Sequence, residues 1–236
     1  MVQSTRVPDT VLERLRKVPT PTLVDVLFER GYTRVYLEGV RPLTPGARLA
    51  GRAVTLRFVP ARPDIRQEVA QRERSPEYRA MELCGPGDVL VIDAMRMASS
   101  SVGGDIKFLG LKRRRAEGIV TDGALRDVPT LKDYHLKLFA AGVTAKTGPW
   151  EFFPWGVNEV VQCGGGAVRP GDVIIGDDAG VVVVPQALAE EVAAAAEAHE
   201  ELEAWIKERV ERENVSPGRY YPIQEETRRL FQESRR

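Results

Sequence analysis

The stretch that decides the fold is Gly103 to Asp127, "GGDIKFLGLKRRRAEGIVTDGALRD". Asp105 stands just before "IKFLGLKRRRAE", and Gly118 follows it. Asp is favoured at a helix N-cap and Gly just past a helix end, so the two bracket a helix over 106–117. "GIVTDG" then reads as a strand at 119–122 closed by a glycine turn. Upstream, "GPGDVLVIDAM" (85–95) reads as a turn and a buried strand, because Val89 to Ile92 form an unbroken apolar run. Strand, helix and strand make a βαβ-like unit. Its right-handed crossover puts the end of the second strand on the same edge as the start of the helix.

That edge carries the adjacent pair Arg126-Asp127, twenty intervening residues after Asp105. A helix start presents unpaired N–H groups and a positive dipole end, which together attract anions. A guanidinium and backbone amides suit a carboxylate, and a neighbouring carboxylate suits a divalent cation. A 2-oxo acid needs both. Taken alone, an Arg-Asp pair after a strand is more often a surface ion pair or a helix cap, and Asp105 a plain N-cap.

Working outward, residues 8–30 suggest two short helices, with Asp9 or Thr10 capping the first, Thr20 or Thr22 the second, and Gly31 terminating it. "RLAGRAVTLRFVP" (48–60) alternates and is rich in β-branched residues, so it reads as a strand. Residues 67–84 are helix-like with a break near Pro76. "VPTLKDY" starts a short helix with Pro near its first turn, and "KLFAAGVTA" (137–145) reads as a strand. Residues 148–161 read as an aromatic loop entering a strand. "CGGGAVRPGDVIIGDDAGVVVVP" (163–185) has hairpin chemistry, with turns at Pro170-Gly171-Asp172 and Asp177 to Gly180. After Pro185 the chain is rich in helix formers (186–214), one long helix with or without an interruption, followed by a loop and a short amphipathic segment.

Composition narrows the function. The chain has 236 residues, 43% hydrophobic and 29% charged, with 34 basic and 34 acidic side chains and a formal net charge of zero. That argues against a nucleic-acid partner, whose affinity rests on phosphate neutralisation. "KRRR" at 112–115 reads as a solvated helix face. Cys84 and Cys163 fit no zinc or disulfide pattern and read as buried thiols of a reducing compartment. Two histidines, His135 and His199, are too few for a His-rich metal centre, so any metal is a hard, oxygen-ligated cation such as Mg²⁺ or Mn²⁺. The amino terminus shows no apolar leader and no run is long enough to span a membrane, so the cytoplasm is the default location. Ser99, Ser100 and Ser101 lack a histidine partner for a hydrolase triad. "CGGGAVRPG" lacks the Lys-Ser/Thr of a phosphate loop. Trp150, Phe152, Phe153 and Trp155 suit a substrate pocket or an intersubunit contact.

Together, "GGDIKFLGLKRRRAEGIVTDGALRD" and "CGGGAVRPGDVIIGDDAGVVVVP" closely resemble the RraA-like proteins, which include 4-hydroxy-4-methyl-2-oxoglutarate/4-carboxy-4-hydroxy-2-oxoadipate aldolases. "PTPTLVDVLFERG" and "GVRPLTPGARLAGRAVTLR" extend the resemblance over roughly 18–205, and the ending "GRYYPIQEETRRLF" looks like a long-tailed subgroup. The resemblance implies a swivelling, phosphohistidine-domain-like α/β/α sandwich over residues 1–185. Residues 186–236 then form a C-terminal helix and tail packing on the same or a neighbouring subunit. It also implies a homotrimer or dimer of trimers with its site between protomers.

By the same resemblance the protein is a divalent-metal-dependent lyase that works on 2-oxo acids through a pyruvate enolate. It would catalyse retro-aldol cleavage of 4-hydroxy-2-oxo acids, oxaloacetate decarboxylation, or both. Asp127 would hold Mg²⁺ or Mn²⁺ largely through waters, and Arg126 would contact the carboxylate and enolate. Backbone amides at Gly104, Asp105, Ile106 and Lys107 would hold the carboxylate, and Asp105 would orient the metal's waters and Arg126. Some relatives carry an acidic residue where this chain has Thr130, and use glutamates from a neighbouring subunit. Glu197, Glu200, Glu201 and Glu203 are the candidates here. Family regulators that inhibit an RNA-degrading ribonuclease lack the acidic residue after the Arg. This chain has it, which favours the enzymatic branch over a non-enzymatic regulator. A sugar-acid hydratase or dehydratase is a third reading.

Overall fold

Residues 6–235 are described by a computed structural model. The expectation of a chain without a leader falls partly on residues 1–5, which lie outside the described residues, as does Arg236 of the tail. The chain begins with α1 (Asp9–Lys17) and α2 (Thr20–Phe28), as expected, but neither uses the expected cap. Pro8 and Pro19 occupy the N-cap positions and offer no side-chain acceptor. The polar residues are used at longer range instead. Asp9 accepts from Arg52 at 2.7 Å, while Thr20 donates to the buried Asp177 through its amide (2.9 Å) and hydroxyl (2.7 Å). Gly31, at φ 82°, turns the chain away after α2.

Two strands follow, β1 (Arg41–Pro42) and the twelve-residue β2 (Leu49–Pro60). The helix-like stretch after them divides into α3 (Pro63–Val69) and α4 (Pro76–Leu83), broken at Pro76 because proline is tolerated only in a helix's first turn. Next come β3 (Asp88–Asp93), buried throughout, and β4 (Ser101–Gly103), a three-residue strand with no sequence signal.

The βαβ unit is present, with corrected boundaries. Its helix, α5 (Asp105–Arg114), starts at Asp105 with Gly104 as N-cap and stops at Arg115, which is left-handed at φ 56°. Gly118 therefore does not end a helix; it is the first residue of β5 (Gly118–Leu125). A side chain there would collide with the Lys137 carbonyl on the neighbouring strand. Nor does Gly123 form a turn. It lies within β5, where an added Cβ would sit 2.7 Å from that of Ala94. Both glycines mark close backbone approach.

Beyond them lie α6 (Val128–Asp133) and β6 (Lys137–Val143). The aromatic stretch forms a short turn and then a strand, β7 (Phe152–Val157), whose pairing with β2 shifts register, before the small hairpin of β8 (Val161–Cys163) and β9 (Gly166–Val168). The expected hairpin near 170–185 is β10 (Val173–Asp177) with β11 (Gly180–Val184). α7 (Ala189–Glu213) runs uninterrupted for 25 residues, and α8 (Glu225–Ser234) closes the chain.

The main sheet runs β1-β6-β5-β3-β2-β10-β11, with β4 beside β5 and β7 beside β2. Its centre, β2-β3-β5-β6, is parallel, and β1, β7, β10 and β11 add antiparallel edges. Residues 35–37, just before β1, bond to β11 through Leu37 N to Val181 O (2.9 Å) and Val183 N to Val35 O (2.8 Å), which brings the sheet close to closing. Leu56, Ile92, Phe108, Ile119 and Leu131 fill the layer under α4, α5 and α6. On the other side α1, α2 and the first half of α7 pack on β10 and β11. This is the expected α/β/α sandwich with a C-terminal helical extension. The second half of α7 makes its own small core with α8, where Trp205 meets Tyr220 and Phe231 edge-on at 5.6 and 5.7 Å.

Cys84 and Cys163 are free and buried. Burial pushes the Cys84 thiol up to about 12 and Cys163 well above its ordinary value, so neither is a ready nucleophile. Among the described residues, no helix is long and apolar enough to cross a membrane.

Candidate functional site

Three backbone features bring the expected residues together. β4 runs parallel to the end of β5, pairing Ser101 with Ala124 and Gly103 with Leu125. The Arg126 amide then donates to the Gly103 carbonyl at 3.0 Å, tying the residue after β5 to the residues before α5. Gly104 lies so close to Asp127 that any side chain there would strike the Asp127 carboxylate. The result joins Gly104, Asp105, Ile106 and Lys107 to Arg126 and Asp127 at one sheet edge.

Asp127 has an unusual backbone, φ 53° and ψ 34°, a left-handed conformation that non-glycine residues seldom adopt. Although it is the N-cap of α6, its side chain makes no capping bond; only its carbonyl serves that helix, accepting from Leu131 N at 3.0 Å. The carboxylate turns instead to the start of α5, where Oδ2 lies 3.4 Å from the Asp105 amide. Asp105 accepts from the Ile106 amide through Oδ1 at 2.7 Å. Arg126 is half-buried, and its guanidinium has no hydrogen-bond or ion-pair partner among the described residues. Lys107 points its ammonium away, to Glu77 at 3.3 Å. The edge thus offers an uncommitted cation, two carboxylates and first-turn amides with no intrahelical acceptor.

Among the described residues, no group of three or more His, Cys, Asp or Glu side chains could hold a metal. Zinc-type ligation therefore has no donor set here. One or two carboxylates fit Mg²⁺ or Mn²⁺, which retain several waters and need few protein ligands. Several large apolar side chains are exposed, one of them in the first turn of α5. Ile106 is 80% exposed, Trp150 74% and Val143 59%. Of the other aromatics, Trp155 is also exposed, whereas Phe152 is core, edge-on to Phe58 at 4.8 Å. The four candidate glutamates are engaged within the chain: Glu197 with Arg14 (2.8 Å), Glu200 with the Thr22 hydroxyl, Glu201 with Arg235 (3.1 Å) and Glu203 with Lys207 (3.2 Å). The "KRRR" residues are all exposed, and Lys112 stacks over Tyr134 at 4.7 Å.

A second group of polar residues, not foreseen from sequence, braces the strands behind the site. Asp122 on β5 accepts from Ala94 N (2.7 Å), Gln162 Nε2 (2.8 Å) and Gly164 N (3.1 Å), and the same Gln162 nitrogen reaches Asp93 Oδ1 at 2.6 Å. The network pins β3, β5 and the β8–β9 hairpin to one another. Burial raises the Asp93 carboxyl above its ordinary value, outweighing the hydrogen bonds from Met95 and Gln162. A carboxyl raised by folding favours the fold below its unfolded value and loses that contribution as pH rises through the folded one. Asp93→Asn keeps an acceptor and removes the charge. Its stability relative to the parent is expected to rise in denaturant titrations as pH increases above the ordinary carboxylate range; a flat difference would show that Asp93 ionises in the fold at no cost.

Comparison with known proteins identifies the family. The family model RraA-like (Aldolase/RraA) matches residues 20–183. The chain belongs to the RraA-like family. A relative from Halalkalibacterium halodurans, named "Putative 4-hydroxy-4-methyl-2-oxoglutarate aldolase", is 31% identical over 185 residues, spanning 77% of this chain and 79% of that protein. The crystal structure of Streptomyces coelicolor RraAS2, described as an unusual member of the RNase ES inhibitor RraA protein family, superposes with a TM-score of 0.78 at 33% identity, covering 86% of this chain and 98% of that one. An uncharacterized protein from Pseudomonas syringae gives 0.75 at 26% identity over 91% and 98%. The first motif of this RraA-like chain, 103–127, and most of the second, 163–185, fall within the matched residues.

Proposed function

We propose that this RraA-like protein is a divalent-metal-dependent lyase that cleaves 4-hydroxy-2-oxo acids, and decarboxylates oxaloacetate, through a pyruvate enolate. The observation that carries the reading is the unpartnered Arg126 guanidinium beside Asp127 at the start of α5. First-turn amides of α5, with Lys107 N the least encumbered, receive the substrate carboxylate. Arg126 faces the charge that grows on the keto oxygen, a preorganised electrostatic contribution that costs little reorganisation during reaction. Asp127, fixed by its left-handed backbone, would hold Mg²⁺ or Mn²⁺ largely through waters. When bound, the cation supplies Lewis-acid polarisation of the keto oxygen.

In the cleavage, the C4 hydroxyl proton leaves to water and C4 becomes the carbonyl of one product. The C3–C4 electron pair moves into the enolate, which takes a proton at C3 to give pyruvate. With oxaloacetate, the same pair is left behind when C4 departs as CO₂. The exposed apolar side chains Ile106, Val143 and Trp150 support self-association, as a homotrimer or a dimer of trimers.

The test is coupled detection of pyruvate from oxaloacetate and 4-hydroxy-2-oxo acids, with Mg²⁺, with Mn²⁺ and with EDTA. Asp127→Ala is expected to lose nearly all metal-stimulated turnover. Full, EDTA-sensitive activity in that variant would overturn the metal assignment. The likeness to RraAS2 favours one rival, a regulator that docks on an RNA-processing ribonuclease without turnover. Tight ribonuclease binding together with an inactive substrate panel would decide for it.

A further inference from the structure

A cavity of about 220 Å³ lies between α4, β2, β7 and the first turn of α5. It shares Lys107 with the candidate site, and Ser101 and Val102 in its wall belong to the strand that leads into Gly104. Phe58, Val69, Phe152 and Phe153 make much of the lining apolar. Glu77 enters it from α4 with a side chain only 13% exposed. Its Oε1 pairs with Lys107 Nζ at 3.3 Å, but its Oε2 is buried with no hydrogen-bond partner among the described residues. A buried carboxylate oxygen in that state is rare in folded proteins and calls for a donor.

We propose, resting on the aldolase reading above, that this cavity receives the part of the substrate beyond the C3–C4 bond, and that Glu77 Oε2 accepts a hydrogen bond from a neutral hydroxyl there. An ionised carboxylate only accepts, so its partner must donate. The Glu77–Lys107 pair is neutral overall, so what opposes a carboxylate on the substrate's far end is the unmet Oε2 itself, which repels an acceptor placed against it. Arg66 also lines the cavity and is the one group there that favours such a carboxylate. The aromatic walls accommodate a carbon chain, and the volume, below that of a typical drug-sized site, suits a few atoms. The preferred substrate class is therefore a 4-hydroxy-2-oxo acid with a short hydroxylated tail, in preference to a dicarboxylate.

The experiment compares kcat/KM for 4,5-dihydroxy-2-oxopentanoate, its 5-deoxy analogue 4-hydroxy-2-oxopentanoate, and the dicarboxylate 4-hydroxy-2-oxoglutarate. All three release pyruvate on cleavage. The parent protein is expected to favour the dihydroxy acid over the deoxy one by about 10–100-fold, the size of a hydrogen bond to a charged group. Glu77→Leu is expected to reduce that ratio to near one, while Glu77→Gln, which keeps an acceptor, retains part of it. Phe153→Trp, which fills the cavity, is expected to penalise the dihydroxy acid more than oxaloacetate. Equal losses on both pentanoates in Glu77→Leu would mean that Glu77 merely holds Lys107, and would overturn the inference. So would a parent preference for the dicarboxylate. If oxaloacetate and every aldol substrate are inert, the aldolase reading itself has failed and takes this inference with it. Turnover with a flat preference sinks the inference alone.

Discussion

Arg126→Ala is expected to lower the rate of pyruvate formation by roughly 10²–10³-fold, the cost of removing one preorganised electrostatic stabiliser. The loss should fall on kcat as well as kcat/KM, because the charge that Arg126 meets develops only as the C3–C4 bond breaks. Stability should hardly move. The guanidinium bonds to nothing among the described residues, while the Arg126 amide, which ties β5 to Gly103, survives the substitution. Substitutions of that kind usually fall within about 0.5 kcal/mol. Arg126→Lys keeps the charge but not the planar fork, so partial activity is expected. Steady-state kinetics with a thermal melt on the same samples reads both outcomes. Unchanged kcat in Arg126→Ala would remove the chemical basis of the proposed function.

The second large effect concerns stability. Arg52, 5% exposed on β2, donates to Asp88 at 3.2 Å, to the Val7 carbonyl at 2.8 Å, to Asp9 at 2.7 Å and to the Pro86 carbonyl at 3.1 Å. One guanidinium thus joins the segment before α1, the turn before β3 and the strand between them. Gly87, at φ 73°, permits this, since a side chain there would collide with the guanidinium. Arg52→Met leaves Asp88 buried with the exposed Arg6, 2.9 Å away, as its one cation among the described residues. Removing one partner of a buried pair costs about 3–5 kcal/mol, which for a chain of this size lowers Tm by roughly 6–20 °C. Arg52→Met combined with Asp88→Asn should cost less than the sum of the two, because the second change removes the stranded charge. Equilibrium urea unfolding of the four proteins measures the coupling, and strict additivity would show that the pair carries no special weight.

Much of the site was legible before any coordinates. A helix between two strands is legible around Asp105, Arg126 and Asp127, and the handedness of that crossover predicts their shared edge. The boundaries were less legible. Gly118 and Gly123 look like punctuation because glycine is common at helix ends and turns. Both lie inside β5, where the Lys137 carbonyl and the Ala94 side chain leave no room for a Cβ. β4 carries no sequence signal because three residues are too few to show a period. Thr20 and Asp9 looked like caps, but each found a stronger partner across the fold, in Asp177 and Arg52. Glu77 gave no signal at all, since its importance lies in what surrounds it.

The sequence by itself determined the order of the longer strands and helices, though not β1, β4 or the β8–β9 hairpin, together with the adjacency of Arg126 and Asp127 and the helix start that faces them. Those properties rest on dihedral preferences and apolar periodicity spanning about ten residues. Only the tertiary structure decided that β4 lies against β5, that Asp127 takes a left-handed backbone and turns its carboxylate from α6 to α5, and that Glu77 is buried with one oxygen unmet. Each of these depends on contacts between segments far apart in the chain, where steric fit and hydrogen-bond pairing override local preference.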